Sequence, residues 1–177
     1  MSPGRRQALA ALFAAAAAVL APRSVRAGPG RRLVLVHTHT GEVLEAVFGT
    51  GAGDRPGQLG RLDWLLRDFR TGDVQPLDAR LFDLLCELAD AAGAEARYEV
   101  ISAYRSPATN AMLVATTDGV SSNSLHMRGK AIDVRLAGVP LARLRDLALA
   151  KAAGGVGYYP DSNFVHLDVG RPRSWSG

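Results

Sequence analysis

The stretch SLHMRGKAIDV, residues 124–134, carries a histidine and an aspartate, His126 and Asp133, on either side of a glycine. Its last residues alternate apolar and polar side chains, which predicts a strand with its apolar residues in the core and Asp133 on the opposite face. Gly129 allows the chain to turn between His126 and that strand. The stretch therefore has the features of one half of a metal site.

A second strand, FVHLDV at residues 164–169, has the same pattern, because its valines and leucine share the core face and leave His166 and Asp168 opposite. If the two strands pair, Asp133 and His166 converge, and His126 in the preceding loop closes over them. Two imidazoles and one carboxylate suffice for a catalytic zinc, which keeps a position for water and lowers the pKa of that water towards about 7. In the alternative interpretation His126 is a loop histidine and Asp133 a capping or ion-pair residue. Spacing alone leaves both interpretations open.

His37 and His39 make a second candidate cluster on the first predicted strand. They are alternate residues and share a face, but only Glu42, beyond the turn, is near enough to help bind a metal. A solvated strand end is the better interpretation, because short motifs of this kind arise readily by chance.

The first 27 residues have the features of an export signal. They begin with a basic segment, continue with an alanine-rich apolar run and end in Val-Arg-Ala, which matches a signal-peptidase site after Ala27. The pair Arg5-Arg6 ahead of that run indicates the twin-arginine route. The run is too short for a comfortable membrane span. We therefore expect a signal peptide at 1–27, a mature domain at 28–177, and a periplasmic or exported protein without stable membrane insertion.

Length and composition indicate one packed domain. The chain has 177 residues, of which 47% are hydrophobic. It has 21 basic and 17 acidic residues, and without the four arginines of the signal segment, which has no acid, the balance is 17 to 17. Net charge therefore gives no support for a nucleic-acid partner. Cys86 is the single cysteine, so no internal disulfide forms, and its helical context favours a buried, inert thiol.

Helices and strands are mixed without a regular βαβ rhythm, which predicts an α+β domain with a small antiparallel sheet flanked by helices. Asp78 and Ser106 are expected N-caps, Pro107 a first helical residue, and Gly72 and Gly93 stop signals. The expected elements are a hairpin over 31–48, helices over 61–70, 78–92, 107–114 and 141–153, strands over 97–102 and 130–136, and a final hairpin over 154–170.

Three motifs, SAYRSPATN (102–110), SNSLHMRGKAIDV (122–134) and GGVGYYPDSNFVHLDVG (154–170), resemble those of zinc peptidases that act on bacterial cell-wall peptides. That superfamily includes D-alanyl-D-alanine carboxypeptidases and dipeptidases, and hedgehog signalling domains share its scaffold. The murein endopeptidase K type is the most similar. The resemblance covers most of the chain after the signal segment, and it implies a zinc peptidase domain at 28–177 with a fold of the hedgehog/D-Ala-D-Ala peptidase kind.

The resemblance also implies roles for particular residues. It assigns zinc to His126, Asp133 and His166, and it implies that Arg105 faces the active site. There a guanidinium would hold a substrate carboxylate or the developing oxyanion in a forked geometry. The alternative for Arg105 is a structural ion pair at a helix start.

One position departs from the superfamily pattern. Many members carry a glutamate, the general base, three residues before the last histidine ligand, and here Asn163 stands at that position. Asp168 is the available carboxylate on the strand face of His166. It is expected either to act as the base or to orient a ligand, and the sequence leaves both roles open.

We therefore predict an exported, Zn²⁺-dependent peptidase that hydrolyses amide bonds in peptidoglycan, most simply a murein endopeptidase that cuts cross-links. The alternatives are a D,D- or L,D-carboxypeptidase that trims stem peptides, and a non-catalytic zinc-stabilised module that binds the cell wall. The substrate partner is peptidoglycan in each case, and the oligomeric state is left open.

Overall fold

The structure is a computed structural model that describes residues 31–48, 55–117 and 119–177. The predicted signal peptide, residues 1–27, lies outside the described residues. None of the described helices is long and apolar enough to cross a membrane.

Within the described residues, seven strands form one sheet, four α-helices surround it, and one short 3₁₀ turn precedes the fourth strand. The strands are β1 (Arg31–His37), β2 (Val43–Phe48), β3 (Arg97–Ser102), β4 (Ala131–Leu136), β5 (Gly155–Tyr159), β6 (Phe164–Asp168) and β7 (Arg173–Ser176). The helices are α1 (Arg55–Leu65), α2 (Arg80–Ala92), α3 (Pro107–Thr116) and α4 (Leu141–Lys151), and the 3₁₀ turn is Leu125–Arg128.

The strand order is β2-β1-β3-β4-β6-β5-β7. The α+β class is confirmed, but the sheet is larger than expected and mixed, because β1 pairs with β3 and β5 pairs with β7 in parallel. The chain passes through α1 and α2 between β1 and β3, and such a long connection allows a parallel return. β7 is too short and polar for its sequence to indicate a strand, and it forms by pairing with β5.

The core lies where α2 and α4 pack on the sheet. Ile132 and Val134 of β4 and Val165 and Leu167 of β6 are all buried in it, as their alternation predicts. Each such aliphatic side chain contributes about 1.5–3 kcal/mol when it is fully buried. This packing fixes which face of β4 and β6 is turned away from the core.

Helix ends follow the predicted caps at Gly93 and Ser106 but not at Asp78, nor at Gly72, which lies beyond the end of α1 at Leu65. Gly93 ends α2 with a φ of 66°, and the Ser106 side chain accepts the backbone N–H of Thr109 at the start of α3. α2 begins at Arg80 rather than Asp78, although the Asp78 carboxylate accepts the backbone N–H of Arg80. Cys86 on α2 is buried, as predicted, and burial raises the pKa of its thiol to about 11, which disfavours the reactive thiolate.

The predicted helix over 61–70 is displaced, since α1 spans Arg55–Leu65. The cause is Asp68, whose carboxylate is buried and accepts the backbone N–H groups of Arg70 at 2.9 Å and Ser106 at 2.8 Å. An aspartate that binds backbone N–H groups in this way competes with helix continuation. Asp68 thereby joins the end of the α1 region to the start of α3.

This contact predicts a pH-dependent contribution to stability. Burial opposes the charge of Asp68, but hydrogen bonds from Thr109, Ser106 and Arg70 outweigh it and lower the pKa of the carboxyl from 3.8 to about 2. Because the folded-state pKa lies below the unfolded one, the stabilisation is present above about pH 4 and is lost as the pH falls towards 2. Asp68→Asn should lower the free energy of unfolding at pH 7 by about 2 kcal/mol.

Urea unfolding at a series of pH values measures this effect. Asp63→Asn is the matched control, because Asp63 also accepts a backbone N–H, that of Leu77, but burial raises the pKa of its carboxyl. The Asp63 variant should keep the loss of stability between pH 4 and 2, and the Asp68 variant should lack most of it. An Asp68 variant with the wild-type pH dependence would contradict the assignment.

Candidate metal centre

Asp133 and His166 face each other across the pairing of β4 with β6. The two strands are antiparallel, and their register places Asp133 directly opposite His166. Val134 opposite Val165 and Ile132 opposite Leu167 fill the core face, so the polar pair lies on the other face. The convergence expected from the alternation of the two strands is confirmed.

His126 reaches this pair from the 3₁₀ turn. The Ser124 hydroxyl accepts the backbone N–H of His126, and Gly129 ends the turn with a φ of 62°. A Cβ atom on Gly129 would collide with the carbonyl oxygen of Pro76. Only glycine satisfies both the positive φ and the close approach of another backbone.

The three side chains form a small triangle of ligand atoms. The distances are 3.1 Å from His126 Nε2 to His166 Nδ1, 3.2 Å from His126 Nε2 to Asp133 Oδ1, and 2.9 Å from His166 Nδ1 to Asp133 Oδ1. Tetrahedral zinc ligands about 2.0–2.2 Å from the metal lie about 3.3–3.6 Å from one another. The triangle is therefore close to the size that such a site requires.

The outer partners of the two imidazoles determine which nitrogen of each carries a proton. His126 Nδ1 lies 2.6 Å from the Ala103 carbonyl, which only accepts, so this nitrogen donates and Nε2 keeps a lone pair. His166 Nε2 lies 3.2 Å from the Asp168 carboxylate and donates to it, so Nδ1 keeps a lone pair. When both imidazoles are neutral in these tautomers, His126 Nε2, His166 Nδ1 and Asp133 Oδ1 are three acceptors that point at one another without a shared donor. A metal cation satisfies such a set.

The electrostatics favour the protonation states that a metal needs at two of these ligands. Burial opposes ionisation of Asp133, but His126 and His166 outweigh it and lower the pKa of the carboxyl. Burial also lowers the pKa of His126, which stays neutral. Burial would lower the pKa of His166 as well, but Asp133 and Asp168 outweigh it and raise that pKa. His166 is thus the ligand for which protons compete most strongly with a metal.

Arg105 lies beside the triangle, on the side of Asp133. Its Nε donates to the Ser102 hydroxyl at 2.9 Å, and its Nη2 donates to Asp133 Oδ2 at 2.5 Å. Within the described residues its Nη1 makes no hydrogen bond, and 15% of the side chain is exposed. Arg105 therefore forms an ion pair with the carboxylate and still has donor capacity left for a ligand.

Both neighbours of Arg105 are held by the segment after α1. The Tyr104 N–H donates to the Leu66 carbonyl at 3.1 Å, and the Ser106 N–H donates to the Asp68 carboxylate at 2.8 Å. Asp68 thus supports the site through the backbone on the far side of Arg105. Its only sequence signal is a charged residue within an otherwise apolar helical pattern.

Asp168 lies behind His166 and has no exposed surface. Its Oδ1 accepts the N–H groups of Gly155 at 2.9 Å and Gly170 at 2.8 Å and one from Arg173 at 3.1 Å. Its Oδ2 accepts from Arg173 at 2.6 Å and from His166 at 3.2 Å. Five donors saturate the roughly four lone-pair positions of a carboxylate.

Asn163, at the position where many superfamily members carry a glutamate, lies in the exposed turn between β5 and β6. Its φ is 53°, a left-handed conformation that asparagine tolerates better than most residues. The local backbone therefore explains why asparagine suits this position as a turn residue.

The prediction for the histidines of the first strand was wrong in one respect. His37 is buried rather than solvated, because it lies on the core face of β1 against the edge of Phe69, with ring centroids 5.5 Å apart. His39 is exposed and stacks on Phe69 at 4.1 Å. Among the described residues, the group of side chains able to hold a metal consists of His126, Asp133 and His166.

A sheet face that presents one histidine and one aspartate, with a second histidine from the neighbouring 3₁₀ turn and an arginine on the carboxylate, has the ligand set of a metal-dependent hydrolase. Residues 25–175 match the family described as peptidoglycan L,D-endopeptidase MepK, and the chain belongs to this peptidase family. The resemblance drawn from the three sequence motifs is thereby confirmed.

Curated relatives support the same family. The chain is 45% identical to a probable peptidoglycan L,D-endopeptidase MepK of Haemophilus influenzae. The alignment of 148 residues covers 83% of this chain and 80% of the relative. The chain is 42% identical to peptidoglycan L,D-endopeptidase MepK of Escherichia coli K12, and this alignment of 145 residues covers 82% of this chain and 80% of the relative. No solved structure matches the chain significantly.

Proposed function

We propose that this protein is an exported, zinc-dependent peptidoglycan L,D-endopeptidase that cuts peptide cross-links of the cell wall. The observation that carries the proposal is the convergence of three lone-pair atoms, all within 3.2 Å of one another, beside an arginine. The names and coverage of the two relatives supply the substrate class and the bond type.

His126, Asp133 and His166 would hold the metal, and three protein ligands are the number found in catalytic rather than structural zinc sites. Zinc, when bound, polarises the scissile carbonyl and lowers the pKa of the attacking water. The protein groups hold the ligands in place, since Ala103 orients one imidazole and Arg105 fixes the carboxylate.

Arg105 would also contact the substrate. Its Nε and Nη2 are occupied by Ser102 and Asp133, which immobilise the guanidinium plane. The remaining donors of Nη1 are then available for a substrate carboxylate or for the oxyanion that develops on the scissile carbonyl. The ion pair and the substrate contact, which were alternatives at the level of sequence, are compatible in one side chain.

Asp168 would be a positioning residue and not the general base. A base needs an oxygen that faces the substrate, whereas both Asp168 oxygens are buried and bonded to His166, Arg173, Gly155 and Gly170. The contact with His166 Nε2 instead fixes the tautomer that leaves Nδ1 free for the metal.

One observation favours a second candidate, a non-catalytic zinc-stabilised module that binds the cell wall. Asn163 stands where many superfamily members carry a glutamate, and both oxygens of Asp168, the carboxylate next to His166, are buried and hydrogen-bonded. Such a module would bind zinc and murein without releasing muropeptides, so the digestion of murein separates the two functions.

The ligand set predicts about one zinc per chain and complete dependence of hydrolysis on it. His126→Ala and His166→Ala should each retain less than about a tenth of the wild-type zinc and release no detectable muropeptides from purified murein sacculi. Elemental analysis of protein purified without chelator gives the zinc content, and mass spectrometry of the digest identifies the bond cut. His39→Ala is the matched control, an exposed histidine that should keep both properties. Wild-type zinc in either ligand variant would place the metal elsewhere.

The contacts of Asp168 predict that its replacement weakens metal binding more than it slows turnover. Asp168→Asn removes the charge that orients His166, so zinc affinity should fall about 10–100-fold, and hydrolysis should recover in part at saturating zinc. Competition with a chelator measures the affinity, and thermal unfolding checks the fold. A loss of rate of about 10²–10⁴-fold with unchanged zinc affinity would instead identify Asp168 as the base.

The signal segment predicts export through the twin-arginine route and a mature chain that starts after Ala27. Arg5→Lys combined with Arg6→Lys keeps the charge and should block export, since that route reads the arginine pair itself. Arg23→Lys, the matched control in the same segment, should be exported normally. N-terminal sequencing of the exported protein checks the cleavage site, and a chain that still begins near Met1 would mean an anchored protein.

A further inference from the structure

Trp175 lies beside the proposed metal centre although the sequence analysis assigned it no role. β4, β6, β5 and β7 are adjacent, and their register places Asp133, His166, Gly157 and Trp175 in one row across the sheet. Side chains in one such row project from the same face of a sheet. The indole therefore belongs to the face that carries the ligand triangle.

Gly157 is what allows the indole to approach His166. A Cβ atom on Gly157 would lie 2.7–2.8 Å from three atoms of the Trp175 ring, so the indole occupies the space that a side chain would fill. The centroid of the indole lies 5.1 Å from that of the His166 imidazole. Trp175 thus forms a wall next to the ligand triangle, on the side opposite Arg105.

The indole is held in one orientation by its neighbours. Its Nε1 donates to the Tyr159 hydroxyl at 2.8 Å, and Tyr159 stacks on Phe164 with ring centroids 4.6 Å apart. The Arg173 guanidinium, which also binds Asp168, lies 5.0 Å from the indole centroid. The polar atom of Trp175 is satisfied, and the side chain remains partly exposed, so a rigid apolar surface is available to a ligand.

We propose that Trp175 and Tyr159 form a substrate subsite that binds the aliphatic part of a stem-peptide residue next to the scissile bond. The site then has a cationic side, at Arg105 beyond Asp133, and an apolar side, at the indole beyond His166. A peptide with a free carboxylate on one side of the scissile bond and an aliphatic side chain on the other would place the carboxylate at Arg105 and the side chain at the indole. The inference rests on the proposed function and deepens it by identifying a determinant of specificity.

The short distance from Trp175 to His166 favours a peptide over a sugar as the occupant. One residue of an extended chain spans about 3.3–3.6 Å, so a group that touches the indole lies within one or two residues of a bond cut at the metal. The glycan strand is separated from such a bond by the stem peptide.

The experiment uses the two tryptophans of the chain as separate reporters. In the exported Trp64→Phe protein, Trp175 is the single fluorophore, and stem peptide released from murein should shift its emission. In Trp175→Phe, the exposed Trp64 on α1 should not respond to the same peptide. The disaccharide without its peptide should leave both proteins unchanged. A response to the disaccharide alone would overturn the assignment to a peptide.

Kinetics on a purified cross-linked muropeptide test the role in specificity. Trp175→Ala should raise KM about 10-fold, with kcat within about threefold of wild type and the zinc content unchanged, and Trp175→Phe should restore most of the loss. Unchanged KM, or loss of zinc from both variants, would overturn the subsite and leave only a structural role for the indole.

The outcomes separate the subsite from the proposed function. If the wild-type protein fails to hydrolyse murein but stem peptide still shifts Trp175 emission, the endopeptidase assignment fails and the subsite stands. If hydrolysis proceeds but neither the emission nor KM depends on Trp175, the subsite fails and the endopeptidase assignment stands. If hydrolysis and the emission shift are both absent, both are overturned.

Discussion

The register between β4 and β6 is the constraint on which the rest of the site depends. It sets Asp133 directly across from His166, and the same register sets Ile132 against Leu167 and Val134 against Val165 on the core face. A slip by one residue would exchange the faces, bury the acid and the imidazole among aliphatic side chains and expose the aliphatic ones. Hydrophobic burial and the geometry of the metal centre are therefore fixed by the same set of strand pairs.

Burying a carboxylate and two imidazoles is costly unless each polar atom has a partner. Here the outward-facing atoms of the three side chains are all occupied. His126 donates to the Ala103 carbonyl, His166 donates to Asp168, and Asp133 accepts from Arg105. What is left over is one lone-pair atom from each ligand, and the three point to the same place. The outer hydrogen bonds thus convert an unfavourable cluster into a preorganised site for a cation.

Those outer partners are in turn supported by segments that are distant in sequence. Asp168 is saturated by Arg173 and by two backbone N–H groups, so it cannot rotate away from His166. Asp68 binds the backbone next to Arg105 and ends the α1 region early. β7 carries both Arg173 and Trp175, so one short edge strand binds the carboxylate behind His166 and also places an indole beside that imidazole. The C-terminal strand β7 therefore contributes to the candidate site as well as to the edge of the sheet.

The sequence by itself determined the faces of the strands and the N-cap of α3, since period-two alternation and cap chemistry are local properties. The convergence of Asp133 and His166 with His126 depended on the pairing of β4 with β6. The sequence also indicated the family, through motifs that include both histidines and Arg105. Only the tertiary structure decided that His37 is buried and that α1 ends at Leu65, because both depend on contacts with Phe69 and Ser106. It likewise showed that both Asp168 oxygens are buried and hydrogen-bonded, and it brought Trp175 beside His166. The alternation of apolar and polar residues indicates which face of a strand a side chain occupies. Its neighbours across the sheet depend on strand pairing and on segments that fold back onto the sheet.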